Sequence, residues 1–286
     1  MIKPHKAGAF NRIAKRLTPF VSLALANRRT EPLTRLFETY LAIVQGRGSG
    51  TGWDMTGEVR VATNLIRRDD AVVFDVGANM GEWSDGLRRK LLNVRCHIYQ
   101  FEPASACVRE LQRRRHPLTI VTPMALAAQP GERLLYSAAP GSPQASLTVR
   151  RDTYHQTDAP ILAESVAVTT LALALRSFAI TQLDFLKIDV EGHELEVLQG
   201  ADDLLHPDMI RAISFEFGSG NINTRTFFHD FWDLLHPLGY RFARILPGGR
   251  LLPVHEYYED LEYFRSVSNY LAAAPELMDC ANRRLI

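Results

Sequence analysis

Four short apolar runs, each closing on an acid, constrain this chain more than any other feature. They lie at residues 71–76 with Asp75, 96–102 ending in Glu102, 183–189 ending in Asp189, and 210–216 ending in Glu216. Runs without a polar face belong to strands buried on both sides. Helical patterns separate them at 82–92, 104–115 and 193–205. Strands alternating with helices predict an α/β fold with a parallel sheet covered on both faces. Ligands of such sheets bind beyond the carboxyl ends of the strands. The four acids are therefore expected along one functional edge.

The remaining segments read differently. Short β-like pieces at 133–138, 146–149 and 166–171 alternate with Pro and Gly, predicting an insertion between the third and fourth main strands. Residues 240–246 and 250–254 flank Pro247-Gly248-Gly249, a hairpin signal. Residues 267–272 supply a last, antiparallel strand. The 33 Lys and Arg residues balance 32 Asp and Glu, so no overall charge draws the chain to nucleic acid. Cys96, Cys107 and Cys280 form no CxxC pair, which argues against a disulfide framework and for a reducing, cytoplasmic setting.

Charge is concentrated at the start. Lys3, Lys6, Arg12, Lys15, Arg16, Arg28 and Arg29 occur in residues 1–30 without a single acid. Ile13, Leu17, Phe20, Val21 and Leu25 recur beside them at helical spacing. A basic amphipathic helix has two readings: peripheral attachment to an anionic membrane, or packing on the main domain or a partner subunit in an oligomer. Packing is the default expectation. The apolar stretch 20–26 is short and Pro19 interrupts its start, so it is not expected to be a signal peptide. A second helix is expected at 32–44, with Thr30 as cap and Pro32 in its first turn. The Gly-rich stretch 46–52 reads as a flexible loop, without the Lys of a P-loop. These features predict a helical appendage over 1–60 and a catalytic domain over 61–286.

The chemistry concentrates in Asp75-Val76-Gly77-Ala78-Asn79-Met80-Gly81, which joins a strand to a helix. Its glycines are four apart, unlike GxGxxG of dinucleotide folds. An Asp before the first glycine repels a pyrophosphate and attracts a cation, which suits the sulfonium of S-adenosylmethionine better than NAD. Glu102, 21 residues beyond Gly81 and closing the next strand, is placed to accept two ribose hydroxyls.

Residues 74–81, then Phe101-Glu102-Pro103, then Leu186-Lys187-Ile188-Asp189-Val190-Glu191-Gly192-His193-Glu194 and Val197-Leu198-Gln199-Gly200-Ala201 resemble the FkbM family of methyltransferases. The resemblance spans about residues 71–272. It implies a Rossmann-like class I fold, a mostly parallel seven-stranded sheet with helices on both faces. It also implies transfer of a methyl group from S-adenosylmethionine to a hydroxyl of a sugar, glycoconjugate or small natural product. Asp75, Gly77, Asn79, Gly81, Glu102, Pro103, Ala125 and Asp189 are the expected cofactor residues. Met124 stands where related sequences often carry Asn, which bears on the adenine side.

Asp189, Glu191 and His193 are the candidate catalytic residues. Asp189 or His193 is expected to take the hydroxyl proton; the competing reading of His193 is a helix-start residue bonded to nearby groups. A magnesium or manganese ion on Asp189, Glu191, Glu216 and Asn221 is a second route to the same activation. The competing reading is that these acids bind cofactor or cap helices. Lys187, inside an apolar strand, either pairs with an acid or extends out of the sheet. Trp53, Trp83 and Trp232 read as packing residues, Tyr257, Tyr258 and Tyr263 as possible borders of an acceptor cleft, and Arg113-Arg114-Arg115 as a solvated helix end. Two other classes remain open at this point: a nucleotide-dependent oxidoreductase and a catalytically silent binding module.

Overall fold

The structure is a computed structural model and describes residues 8–50, 55–114, 116–151 and 161–285. Lys3, Lys6, Trp53, Arg115 and the end of the 46–52 loop lie outside the described residues.

The four apolar runs form strands β1 (Ala71–Val76), β2 (Cys96–Phe101), β7 (Phe185–Ile188) and β8 (Ala212–Gly218), and Thr119–Thr122 adds β3. They pair in parallel, in the order β3-β2-β1-β7-β8. The sheet continues antiparallel through β11 (Val267–Ala273), β9 (Arg241–Ile245) and β10 (Leu251–Val254). The last strand in sequence thus inserts between β8 and the hairpin β9–β10. The sheet has eight strands rather than the expected seven, because the second arm of the hairpin extends the edge. β4 (Ala125–Leu126), β5 (Gly131–Ser137) and β6 (Leu162–Thr169) form a separate three-stranded sheet. That is the predicted insertion.

Side chains alternate between the two faces along each strand. Val73, Ile98, Phe185, Ala243 and Leu271 pack beneath α3 (Met55–Leu65), α4 (Glu82–Lys90) and α10 (Pro275–Leu285). Phe74, Phe101, Leu186, Ile213, Phe215 and Tyr270 pack against α6 (Leu171–Ser177), α7 (Glu194–Gln199) and α9 (Phe228–Leu235). Helix α5 (Ser105–Arg114) follows β2, and the short α8 (Gly220–Thr224) follows β8. The second face is rich in aromatic rings. Phe215 and Phe231 stack at 4.7 Å and 9°, and Phe228 meets Tyr270 at 4.4 Å.

Several boundaries differ from expectation for identifiable reasons. The helix expected over 193–205 is only α7, since Asp202, at φ +54°, breaks the helical path and a short 3-10 turn over Asp202–Leu204 follows. Helix α6 begins where a strand was expected, with Thr170 capping it by accepting the Leu173 N–H. At the N-terminus, α1 (Gly8–Leu25) runs through Pro19, and α2 (Glu31–Val44) follows Thr30. The Thr30 hydroxyl donates to the Leu25 carbonyl instead of capping α2.

The glycine stretch is pinned rather than free. Gly48 N–H donates to Ser268 Oγ, Gly50 N–H to the Val267 carbonyl, and Arg244 to the Gln45 carbonyl. Helix α3 packs Val59, Val61, Ala62 and Leu65 into the core. The domain boundary expected at residue 60 therefore falls inside a core helix.

Phe231→Ala removes a fully buried ring from the aromatic stack. It is expected to lower unfolding free energy by about 3–5 kcal/mol, read as an earlier urea midpoint at unchanged slope.

Candidate active site

The turn after β1 is shaped by left-handed backbone. Gly77 has φ +76°, and a Cβ there would lie 1.8 Å from the Asp189 carbonyl. Only glycine lets the ends of β1 and β7 approach this closely. Gly81, at φ +80°, opens α4 and packs against Leu111. Asn79 also has positive φ, at 46°, and its Oδ1 accepts the Met80 N–H. The Gly77 and Ala78 N–H groups both donate to the Phe101 carbonyl, tying this turn to the end of β2.

Glu102 completes that tie. Its Oε2 accepts the Asn79 N–H and its Oε1 the Ala104 N–H, each at 2.8 Å. Burial pushes its carboxyl above the usual range, while the two N–H donors and the Lys187 charge pull it back. Each oxygen keeps a lone pair for a further donor. A cleft opens here, lined by Gly77, Asn79, Glu102, Pro103, Ala125, Lys187, Asp189 and Glu191. Leu135, Ser142, Pro143, Ala145, Ser146 and Leu147 of the insertion form its other wall. Met124, at the position where Asn was noted, also lines it. Trp83 lies at its margin, buried and stacked on Phe185 at 5.9 Å, with Nε1 lacking a partner among the described residues.

Lys187 resolves the question left by the sequence: it pairs inward. Its Nζ donates to the Gly77 carbonyl at 3.1 Å and lies 3.3 Å from both Asp75 Oδ1 and Asp189 Oδ2. Burial opposes its charge, but Asp189, Asp75, Glu58 and Glu216 outweigh that and hold its pKa above the ordinary lysine value. Asp75 is fully buried and takes Ser84 Oγ at 2.6 Å on its other oxygen. It does not line the cleft, so the expected direct attraction between Asp75 and a bound cation is replaced by an internal ion pair. Gly81 likewise packs inside the fold.

The turn after β7 is equally determined. Glu194 Oε1 accepts the Val190 and Gly192 N–H groups at 3.1 and 3.0 Å. Glu191 has φ +57°; its carboxylate pairs with Arg150, and its carbonyl accepts from Ser146 Oγ. His193 is buried and does not line the cleft. Its Nδ1 faces Glu196 at 2.7 Å and its Nε2 faces Thr148 Oγ1 at 3.0 Å. A carboxylate can only accept, so Nδ1 carries the proton and the imidazole braces α7 against the insertion. The His193 bond, followed by its charge and Arg133, holds the Glu196 carboxyl down at about 2 against burial.

The metal reading is not met. Among the described residues, no three His, Cys, Asp or Glu side chains are placed to hold one ion. Asp189 pairs with Lys187, Glu191 with Arg150, and Asn221 Oδ1 accepts the Gly218 N–H. Burial, then the carboxylates of Asp189, Glu191, Glu58 and Glu194, drives the Glu216 carboxyl well above its usual range. Tyr257, Tyr258 and Tyr263 do not line the cleft; Tyr257 bonds Glu262, Tyr258 bonds Arg244, and Arg47 lies over Tyr263. Cys96, Cys107 and Cys280 do not line the cleft, and burial pushes Cys96 up to about 12 and Cys107 to about 11.

With this geometry in place, the model of the methyltransferase FkbM domain matches residues 75–242, more than half of the chain. This chain belongs to the FkbM family of methyltransferases. The oxidoreductase alternative is thereby set aside. Solved structures similar in fold include FkbM methyltransferase from Methylobacillus flagellatus KT, 16% identical with TM-score 0.46, covering 74% of this chain and 47% of that one. The chain thus spans about half the length of that protein. Aeropyrum pernix fibrillarin with natively bound S-adenosyl-L-methionine is 13% identical, TM-score 0.40, over 77% of this chain and 76% of that one. The plantazolicin methyltransferase BpumL in complex with SAH is 8% identical, TM-score 0.40, over 93% and 100%. No curated protein matches the sequence.

Reasoning from sequence missed the cleft residues of the insertion, Ser146 and Leu147 among them, and Arg150, the partner of Glu191. Nothing in local spacing links residue 150 to residue 191.

Two measurements test this network. Lys187→Met leaves Asp75 buried with an uncompensated charge and is expected to cost about 3–5 kcal/mol of stability. Adding Asp75→Asn should recover part of that loss in denaturant unfolding. Glu196 is depressed in the folded state, so its contribution is complete above its unfolded value near 4.5 and disappears as pH falls towards about 2. Glu196→Gln should flatten the acid limb of the stability–pH curve between those values.

Proposed function

We propose that this chain methylates a hydroxyl oxygen of a sugar, glycoconjugate or small natural product, with S-adenosylmethionine as donor. The observation that carries the reading is the Asp189 carboxylate, which lines the cleft beside Glu102 and Glu191 where the turns after β1, β2 and β7 meet. The residues present fit the donor. Glu102 has spare acceptor capacity for ribose hydroxyls, and Trp83 Nε1 is a buried donor without a partner among the described residues. Gly77, Asn79, Pro103 and Ala125 supply a cradle of small groups and backbone. When bound, the donor would supply an electrophilic methyl group on a sulfonium, whose sulfur would leave as a neutral thioether as the methyl–sulfur bond breaks.

Asp189 is the residue assigned to the acceptor. It orients the hydroxyl and receives its proton as the carbon–oxygen bond forms. Lys187 holds that carboxylate in place; alignment of acceptor oxygen, methyl and sulfur as a whole is worth about 7–11 kcal/mol of the barrier. His193 acts as a positioning residue through Glu196 and Thr148. Glu191 is placed through Arg150, and the wall formed by the insertion selects the acceptor.

Calorimetric titration with S-adenosylmethionine and its demethylated product should show binding that Glu102→Ala weakens. Labelled donor with a panel of sugar acceptors should then show transfer, and Asp189→Asn should slow it about 10²–10⁴-fold. Donor binding without transfer to any hydroxyl would leave a silent binding module; no affinity for either ligand would end the assignment.

A further inference from the structure

Helices α1 and α2 present their apolar faces to solvent. In α1, Ile13, Leu17, Phe20, Val21 and Ala24 recur three and four residues apart, which places them on one side. All are exposed, Phe20 at 73%. Lys15 falls on the opposite side, Arg16 flanks the apolar side between Ile13 and Phe20, and Arg28 and Arg29 follow the helix. The expected packing of this helix on the main domain is therefore not what the structure has.

Helix α2 shows why. Its side bearing Glu38, Thr39 and Ala42 faces the domain: Arg265 donates to Glu38 and Thr39, and Ala42 is the buried residue of the helix. The following Gln45 carbonyl is held by Arg244. That anchoring turns Leu33, Leu36, Phe37, Tyr40, Leu41 and Val44 outward, each more than half exposed. An apolar surface of this extent, fixed in place, marks an interaction site.

Charge decides between occupants. The seven bases of residues 1–30 have no acid among them, and Arg35 and Arg47 only balance Glu31 and Glu38 in residues 31–50. A second copy would bring the same positive charge against itself. A surface of lipid phosphates brings the opposite sign. We propose that α1 and α2 attach this chain, in plane, to an anionic lipid surface. The apolar side chains enter the boundary between headgroups and acyl chains, and Lys15, Arg16, Arg28 and Arg29 meet the phosphates. No described helix is long and apolar enough to cross a membrane, so the attachment is peripheral. It is independent of the chemistry in the cleft.

The test is sedimentation of the full chain with vesicles of phosphatidylcholine alone or mixed with phosphatidylglycerol, beside a concentration series by size-exclusion chromatography with light scattering. Binding to the anionic vesicles is expected to exceed binding to the neutral ones by about tenfold or more and to fall as salt shortens the screening length. The double variant Phe20→Glu/Phe37→Glu should lose vesicle binding at an unchanged melting temperature, as both positions are exposed. Reversing Lys15, Arg16, Arg28 and Arg29 to Glu should remove the anionic preference. Absence of binding to anionic vesicles, or equal and salt-independent binding to both kinds, would overturn the proposal. So would a lipid-independent dimer that Phe20→Glu/Phe37→Glu splits and that ignores vesicles.

Discussion

A charged lysine buried between two strand ends is the constraint from which the cleft follows. The β1–β7 register sets Lys187 opposite Asp75, and Asp189 lies two residues further along the same strand end. A buried ammonium is tolerable only when opposite charge and hydrogen bonds surround it. Asp75, Asp189 and the Gly77 carbonyl meet that requirement together. Each also gains from it: Asp75 is stabilised inside the sheet, Asp189 is held at the cleft, and the turn after β1 is fastened to the end of β7. The close approach of Gly77 to the Asp189 carbonyl closes the same joint from the backbone side.

Around this joint, the cleft is made of turns whose strain is met by neighbours. Asn79 and Glu191 both adopt positive φ without being glycine. Such backbone persists where surrounding bonds over-determine it. Asn79 is held by Glu102 and by its own side chain, and Glu191 by Arg150 and Ser146. The floor is thus rigid, while the wall contributed by the insertion is built from a small sheet of its own.

The N-terminal helices follow a separate logic. Their amphipathic pattern is plain in the sequence, yet amphipathicity alone says only that a face seeks an apolar environment. The direction of that face came from Arg265 and Arg244, more than 190 residues away in sequence, whose bonds to Glu38, Thr39 and Gln45 hold the polar side inward.

Much of the fold and floor was legible in the chain. Apolar runs ending in acids, glycines at a strand–helix junction and a distal Glu are local patterns, so residue order alone sets the parallel sheet, the turn at residues 77–81 and the place of Glu102 and Asp189. Packing in three dimensions is what pairs Asp75 with Lys187 rather than offering it to a ligand, and what makes His193 brace a helix rather than face the cleft. It also decided that Arg150 meets Glu191, and that α2 turns its apolar side outward. The physical reason is the same in each case. Local patterns set backbone conformation and burial, whereas the pairing of charges depends on which distant elements pack together, and the chain does not state those distances.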